Sequence, residues 1–100
     1  MTKEKQIKKI NLVCARKIKK YRDLTTKALE IAKKSIVKGK EEQAKEIIQM
    51  TECYLSDSEY FEKQEHLVNA LSCLNYAHGW LDAGARLKVF NVTDSNLFTI

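Results

Sequence analysis

The residue types that could do chemistry gather in one stretch, Asn75-Tyr76-Ala77-His78-Gly79-Trp80-Leu81-Asp82-Ala83-Gly84-Ala85-Arg86-Leu87. On a helix this run places Asn75, Gly79, Asp82 and Arg86 along one narrow stripe, with Asp82 and Arg86 at the i,i+4 spacing of an ion pair. Two glycines inside a helix cost about 1 kcal/mol each relative to alanine, so something must offset them. Close packing against a neighbouring helix is the plainer reason. The functional reason is a polar groove floored by glycine that admits a ligand or a partner backbone. Its candidate residues are Asp57, Asn75, Tyr76, Gly79, Trp80, Asp82 and Arg86.

His78 has the pKa range for acid–base work, but it falls between Leu74 and Leu81 on an apolar stripe, the place of a buried, hydrogen-bonded core histidine. His66, beside Glu65 near a helix start, is expected to be exposed. Two histidines twelve residues apart, with no carboxylate pair at ligand spacing, define no metal site. Cys14, Cys53 and Cys73 are odd in number and widely spaced, with no C-x-x-C, and are expected to act as small apolar side chains in a reducing compartment. No nucleophile–base pair or cofactor motif is present, so the expectation is a protein that is not an enzyme and binds no cofactor.

Charge is divided unevenly along the chain. Residues 1–40 carry fourteen Lys/Arg against three acids, a net +11, while residues 41–100 carry four against ten, a net −6. Such a split either lets a basic helix pack beside an acidic one or offers a basic face to a polyanion. Lys17, Lys19, Lys20 and Arg22 are the candidate polyanion contacts. With only Tyr21 among them, base stacking is not expected, and any nucleic-acid contact would be an unspecific one to the backbone.

The elements that must position these residues follow from periodicity. Ile7, Ile10, Cys14, Ile18, Tyr21, Leu24, Ala28, Ile31 or Ala32, and Ile36 recur at helical spacing and predict a long helix over residues 3–38, closed by Gly39 as a left-handed cap. At 1.5 Å per residue it would run roughly 50 Å, longer than its partners. It must therefore overhang, break near residues 22–26, or be covered by another chain. A second helix is predicted over 41–63, opened by Glu41, Glu42 and Glu46, and a third over 65–90, the most apolar of the three. Two stripes of the third helix, one through Leu67, Leu71, Leu74 and Leu81 and one through Ala70, Cys73, Ala77, Trp80, Gly84 and Leu87, make it the central helix. Between helices two and three no glycine marks a break.

With 100 residues, 44% of them apolar and 31% charged, no proline and three glycines, the chain has the composition of one small helical domain. Glycine- and proline-rich β architectures are excluded. The expected fold is all-α, an antiparallel up-down-up three-helix bundle over residues 1–90 with a short C-terminal tail over 91–100, its Leu97, Phe98 and Ile100 docking on the bundle or on a second copy. No apolar run reaches the roughly 20 residues of a membrane span and no signal peptide is evident, so a cytoplasmic location without membrane attachment is expected.

The segments Tyr54-Leu55-Ser56-Asp57-Ser58-Glu59-Tyr60-Phe61, Leu67-Val68-Asn69-Ala70-Leu71 and Tyr76-Ala77-His78-Gly79-Trp80-Leu81-Asp82-Ala83-Gly84 together resemble the small archaeal domain-of-unknown-function family 357, over about residues 20–90. The resemblance implies a helical bundle in an archaeal cytosol and brings no established activity, cofactor or catalytic residue. Two departures stand out: Gln64-Glu65 where the family tends to have a Gly-Asp turn, and Lys88 where glycine is common. The functional expectation is a non-enzymatic interaction module that self-associates as a homo-oligomer. The alternatives are unspecific nucleic-acid binding through the first helix, or a small-ligand pocket near Asp82.

Overall fold

The computed structural model describes residues 3–100, with side chains described from Leu12 onward except Val13. Three helices follow one another: α1 over Lys3–Lys33, α2 over Glu41–Lys63 and α3 over Leu67–Arg86. No strand is present among the described residues, only an isolated antiparallel bridge between Ile36 and Phe90. Side-chain pairings fix the directions. Tyr54 stacks on Tyr76 and Ile47 lies against Gly84, so α2 and α3 are antiparallel. Arg22 pairs with Glu62 and Lys33 with Glu52, so α1 and α2 are antiparallel too. Together these contacts give the up-down-up bundle expected from periodicity. α3 packs extensively on both neighbours, which touch each other little, and so it occupies the central position.

α1 is continuous through residues 22–26, where a break was one of the expectations. Arg22 and Thr25 explain why it stays helical. Arg22 reaches Glu62 and Ser58 of α2, leaving only its Nε buried without a partner, and Thr25 bonds His78 of α3 at 3.0 Å, so both polar side chains find partners without bending the backbone. Ile18 is the first described residue of α1 to reach the core, and the helix therefore extends about four turns ahead of it. This overhang draws the molecule out to 57 × 24 × 16 Å. The predicted stripe residues Ile7 and Ile10 lie outside the described side chains.

The predicted end of α1 at residue 38 is corrected to Lys33. Ser35 closes the helix by donating its hydroxyl to the Ile31 carbonyl at 2.7 Å. The chain then extends so that Val37 N–H donates to the Val89 carbonyl at 2.9 Å and Asn91 N–H to the Ser35 carbonyl at 2.7 Å. These bonds satisfy a backbone that would otherwise continue the helix. They leave Ile36, a predicted core position, 38% exposed. Gly39 is left-handed, with φ of 93°, but it serves the turn into α2 rather than the end of α1.

The other two helices end alike. After α2, His66 N–H donates to the Phe61 carbonyl at 2.8 Å and Glu65 N–H to that of Glu62 at 3.0 Å; after α3, Val89 N–H donates to the Gly84 carbonyl at 2.9 Å and Lys88 N–H to that of Ala85 at 3.2 Å. Both are Schellman motifs. The residue that must be left-handed is Glu65 in one and Lys88 in the other, each with φ of 61°. This second motif ends α3 at Arg86 instead of the predicted residue 90 and folds Phe90 back over Gly84.

Most of the core lies in one large cluster formed by Ala28, Leu29 and Ala32 of α1, Ala44 and Ile47 of α2, Leu81 and Ala85 of α3, and Val89, Phe90, Leu97 and Phe98 beyond it. A second cluster gathers Ile18, Ala70 and Leu74 at the other end. The tail thus docks on its own bundle. Burying a large apolar side chain such as Phe90 or Leu97 contributes about 1.5–3 kcal/mol. None of the three cysteines is fully buried: Cys53 is exposed and Cys14 and Cys73 are half-buried. That corrects the small-core-residue expectation. The helical phase of α2 turns Cys53 outward, with Thr51 taking the buried place two residues earlier.

Candidate functional site

α3 presents three faces with different tasks. Towards α2 it turns Ala70, Ala77 and Gly84, all buried, and Gly84 shows why the residues there are small. A Cβ on Gly84 would stand 2.5 Å from Cε2 of Phe90 and 3.1 Å from Cδ1 of Ile47, so only glycine lets the tail ring and α2 approach. Gly79 is the opposite case. A Cβ there would meet nothing within 4 Å, because this glycine faces solvent. Packing offsets one of the two glycines, and the other is left as the open floor of a surface cleft.

That cleft, about 470 Å³ in volume, is lined by Asn75, Tyr76, Gly79, Trp80 and Ala83 on the outer face of α3. Tyr76 is 63% exposed and held upright by stacking on Tyr54, with ring centroids 5.5 Å apart. Trp80 forms the next wall, half-exposed. Val68 and Leu87, both largely exposed, continue the face at its two ends. Within Leu67–Arg86 the only formal charges are Asp82 and Arg86, so the outer face from Val68 to Ala83 carries none. In a chain that is 31% charged, this stretch of about 22 Å differs from the rest of the surface.

The third face of α3 meets α1 and the tail, and here His78 and Asp82 are found. His78 Nε2 donates to the Leu97 carbonyl at 2.7 Å, and in the neutral ring Nδ1 accepts from the Thr25 hydroxyl at 3.0 Å. Asp82 accepts the Thr99 N–H at 2.9 Å on one oxygen and the Thr99 hydroxyl at 3.1 Å on the other. His78 and Asp82 stand 3.7 Å apart. The polar atoms of both side chains are thus occupied, three of the four bonds fastening the tail and one holding α1 through Thr25. A smaller cleft of about 290 Å³ beside them is lined among others by Tyr21, Thr25, Asn75, His78, Gly79, Asp82 and Asn96, of which Thr25, His78 and Asp82 are already hydrogen-bonded.

The candidate groove residues consequently divide. Asn75, Tyr76, Gly79 and Trp80 come together in the outer cleft. Asp82 faces the tail, and the expected Asp82–Arg86 pair is replaced by the two bonds to Thr99, which a carboxylate with both oxygens matched prefers to an exposed ion pair. Arg86 is exposed in the last turn of α3. Asp57 lies on α2 near Cys73, whose thiol is pushed up by burial and further by the Asp57 carboxylate, and it does not join Asp82. Of the candidate polyanion contacts, Lys17 and Lys20 are exposed, Lys19 pairs with Asp23 at 3.0 Å, and Arg22 is turned inward to Glu62 and Ser58.

Two sets of residues were not identified from the sequence. Ala83, four residues after Gly79, completes the cleft floor, and the i,i+4 spacing was a signal for it. Thr25, Leu97 and Thr99, which hold His78 and Asp82, are far away in the chain, and no local pattern points to them. Among the described residues no group of three His, Cys, Asp or Glu is placed to hold a metal ion, and no helix is long and apolar enough to cross a membrane.

Over residues 20–90 the chain matches the model of the family described as Protein of unknown function (DUF357), and it belongs to that family. Comparison with curated proteins and with solved structures finds no match.

Proposed function

We propose that this protein is a non-enzymatic association module of the cytoplasm that pairs with a second copy of itself through the outer face of α3. The observation that carries the reading is the uncharged strip with Tyr76 and Trp80 standing around the open floor at Gly79 and Ala83. A two-fold contact sets a patch against its own copy, so a charge near the axis would meet its like and one away from it would need its opposite elsewhere in the patch. A face without charges suits such pairing in a chain of net charge +5, because it brings no like charges together. Small residues at the crossing let two helix axes approach to about 8 Å, with exposed aromatics supplying the buried area. The engagement of His78 and Asp82 with the tail supports a role other than acid–base catalysis.

Sedimentation equilibrium of the full chain tests this. A dimer with micromolar dissociation constant is expected, and Ala83→Arg, an exposed position outside the core, is expected to be monomeric with an unchanged helical spectrum. A wild-type chain that stays monomeric at high concentration, or an Ala83→Arg variant that dimerises as before, overturns the proposal.

A further inference from the structure

A separate surface, on α1, carries a second inference. Arg16, Lys20, Lys27 and Lys34 follow one another at spacings of four, seven and seven residues, which keeps them within a narrow sector of the helix. All four are exposed, Lys34 in the turn that closes α1. They form a straight row about 27 Å long. Asp23 and Glu30 lie along the same side of the helix, four residues ahead of Lys27 and Lys34, and Asp23 is held by Lys19. Among the described residues, none of the four row cations lies within salt-bridge distance of a carboxylate. The acids of the C-terminal sixty residues make no ion pair with this row, so four cations against the two acids on the same side display part of the net +11 of the first forty residues there.

We propose that this row docks on the phosphate backbone of double-stranded nucleic acid, without reading its sequence. A rigid line of cations suits a rigid line of anions, and a duplex offers about one negative charge per 1.7 Å of axis. Single strands are less well matched, because the row carries no aromatic platform for bases: Tyr21 lies instead at the cleft between α1 and α3. Lysine and arginine contacts to phosphate fix position without conveying sequence. The surface is distinct from the outer face of α3, so a monomeric Ala83→Arg chain still presents it.

The test is fluorescence anisotropy of the full chain with a labelled duplex of about 20 base pairs over a range of salt concentrations. Four phosphate contacts predict a slope of log K against log salt of about −3.6, a loss of about 150-fold in affinity between 50 and 200 mM. The Lys20→Gln/Lys27→Gln double variant should halve that slope to about −1.8. Lys45→Gln/Lys63→Gln, which makes the same change in net charge at exposed positions of α2, should leave the slope as in the wild type. Any of four results overturns the proposal: no binding to duplex at 50 mM salt, an α2 variant that lowers the slope as much as the α1 variant, tighter binding to single strands, or poly-glutamate competing as well as duplex at equal charge.

Discussion

Gly79 and Gly84 lie five residues apart in one helix, yet alanine should act oppositely at the two. In a helix interior the change from glycine to alanine is worth about 1 kcal/mol in favour of the folded state. At Gly79 the new methyl group meets nothing within 4 Å, so the whole of that gain should appear. A stabilisation of about 1 kcal/mol corresponds to a rise of roughly 4–8 °C in Tm for a domain of this size. At Gly84 the same methyl would stand 2.5 and 2.7 Å from two ring carbons of Phe90 and 3.1 Å from Ile47 Cδ1. Phe90 is 1% exposed, and the bridge to Ile36 holds its backbone, so the ring has nowhere to turn. Overpacking of this kind costs about 1–3 kcal/mol, and two ring atoms in conflict argue for the upper end. Set against the propensity gain, Gly84→Ala should destabilise by about 2 kcal/mol, leaving the two variants about 3 kcal/mol apart. Urea unfolding followed by far-UV circular dichroism, at concentrations where sedimentation shows both variants in the same oligomeric state, measures the difference. A Gly84→Ala protein as stable as the wild type would refute the close approach of Phe90. A destabilised Gly79→Ala protein would refute the open floor of the cleft.

Lys88→Gly should stabilise the protein by about 1 kcal/mol, because a left-handed residue with a Cβ is strained where glycine is not; an unchanged urea midpoint would show that Lys88 does not occupy the left-handed position of a Schellman motif. Leu97→Ala should cost about 2–5 kcal/mol, since the side chain is 4% exposed and packs in the main core cluster; a loss below about 0.5 kcal/mol in thermal unfolding would mean that the tail is not docked on its own bundle.

Lys88 and Glu65 each take positive φ, in the turns that end α3 and α2. The chain keeps the turns and accepts the strain, with the Schellman hydrogen bonds and the burial of Val89 compensating after α3. No local signal marked either turn, because the usual signal is the glycine itself.

Periodicity by itself determined the number of helices, their order and the central place of α3, because apolar residues at helical spacing can be buried only if the helix forms and turns that stripe inward. It also marked the segment from Asn75 to Leu87 as unusual. It could not tell which glycine was needed for packing and which was left open, because the two differ only in the neighbours that the fold brings to them. The same holds for charge. Composition located the basic half of the chain, but only packing turned Arg22 inward to Glu62 and left Lys20 and Lys27 in solvent. Asp82 read as the partner of Arg86 along one helix, but the tail returns from about twenty residues away to bond both it and His78. Local pattern sets which residues share a helix face; what that face meets depends on contacts between distant parts of the chain, and these exist only once the bundle has closed.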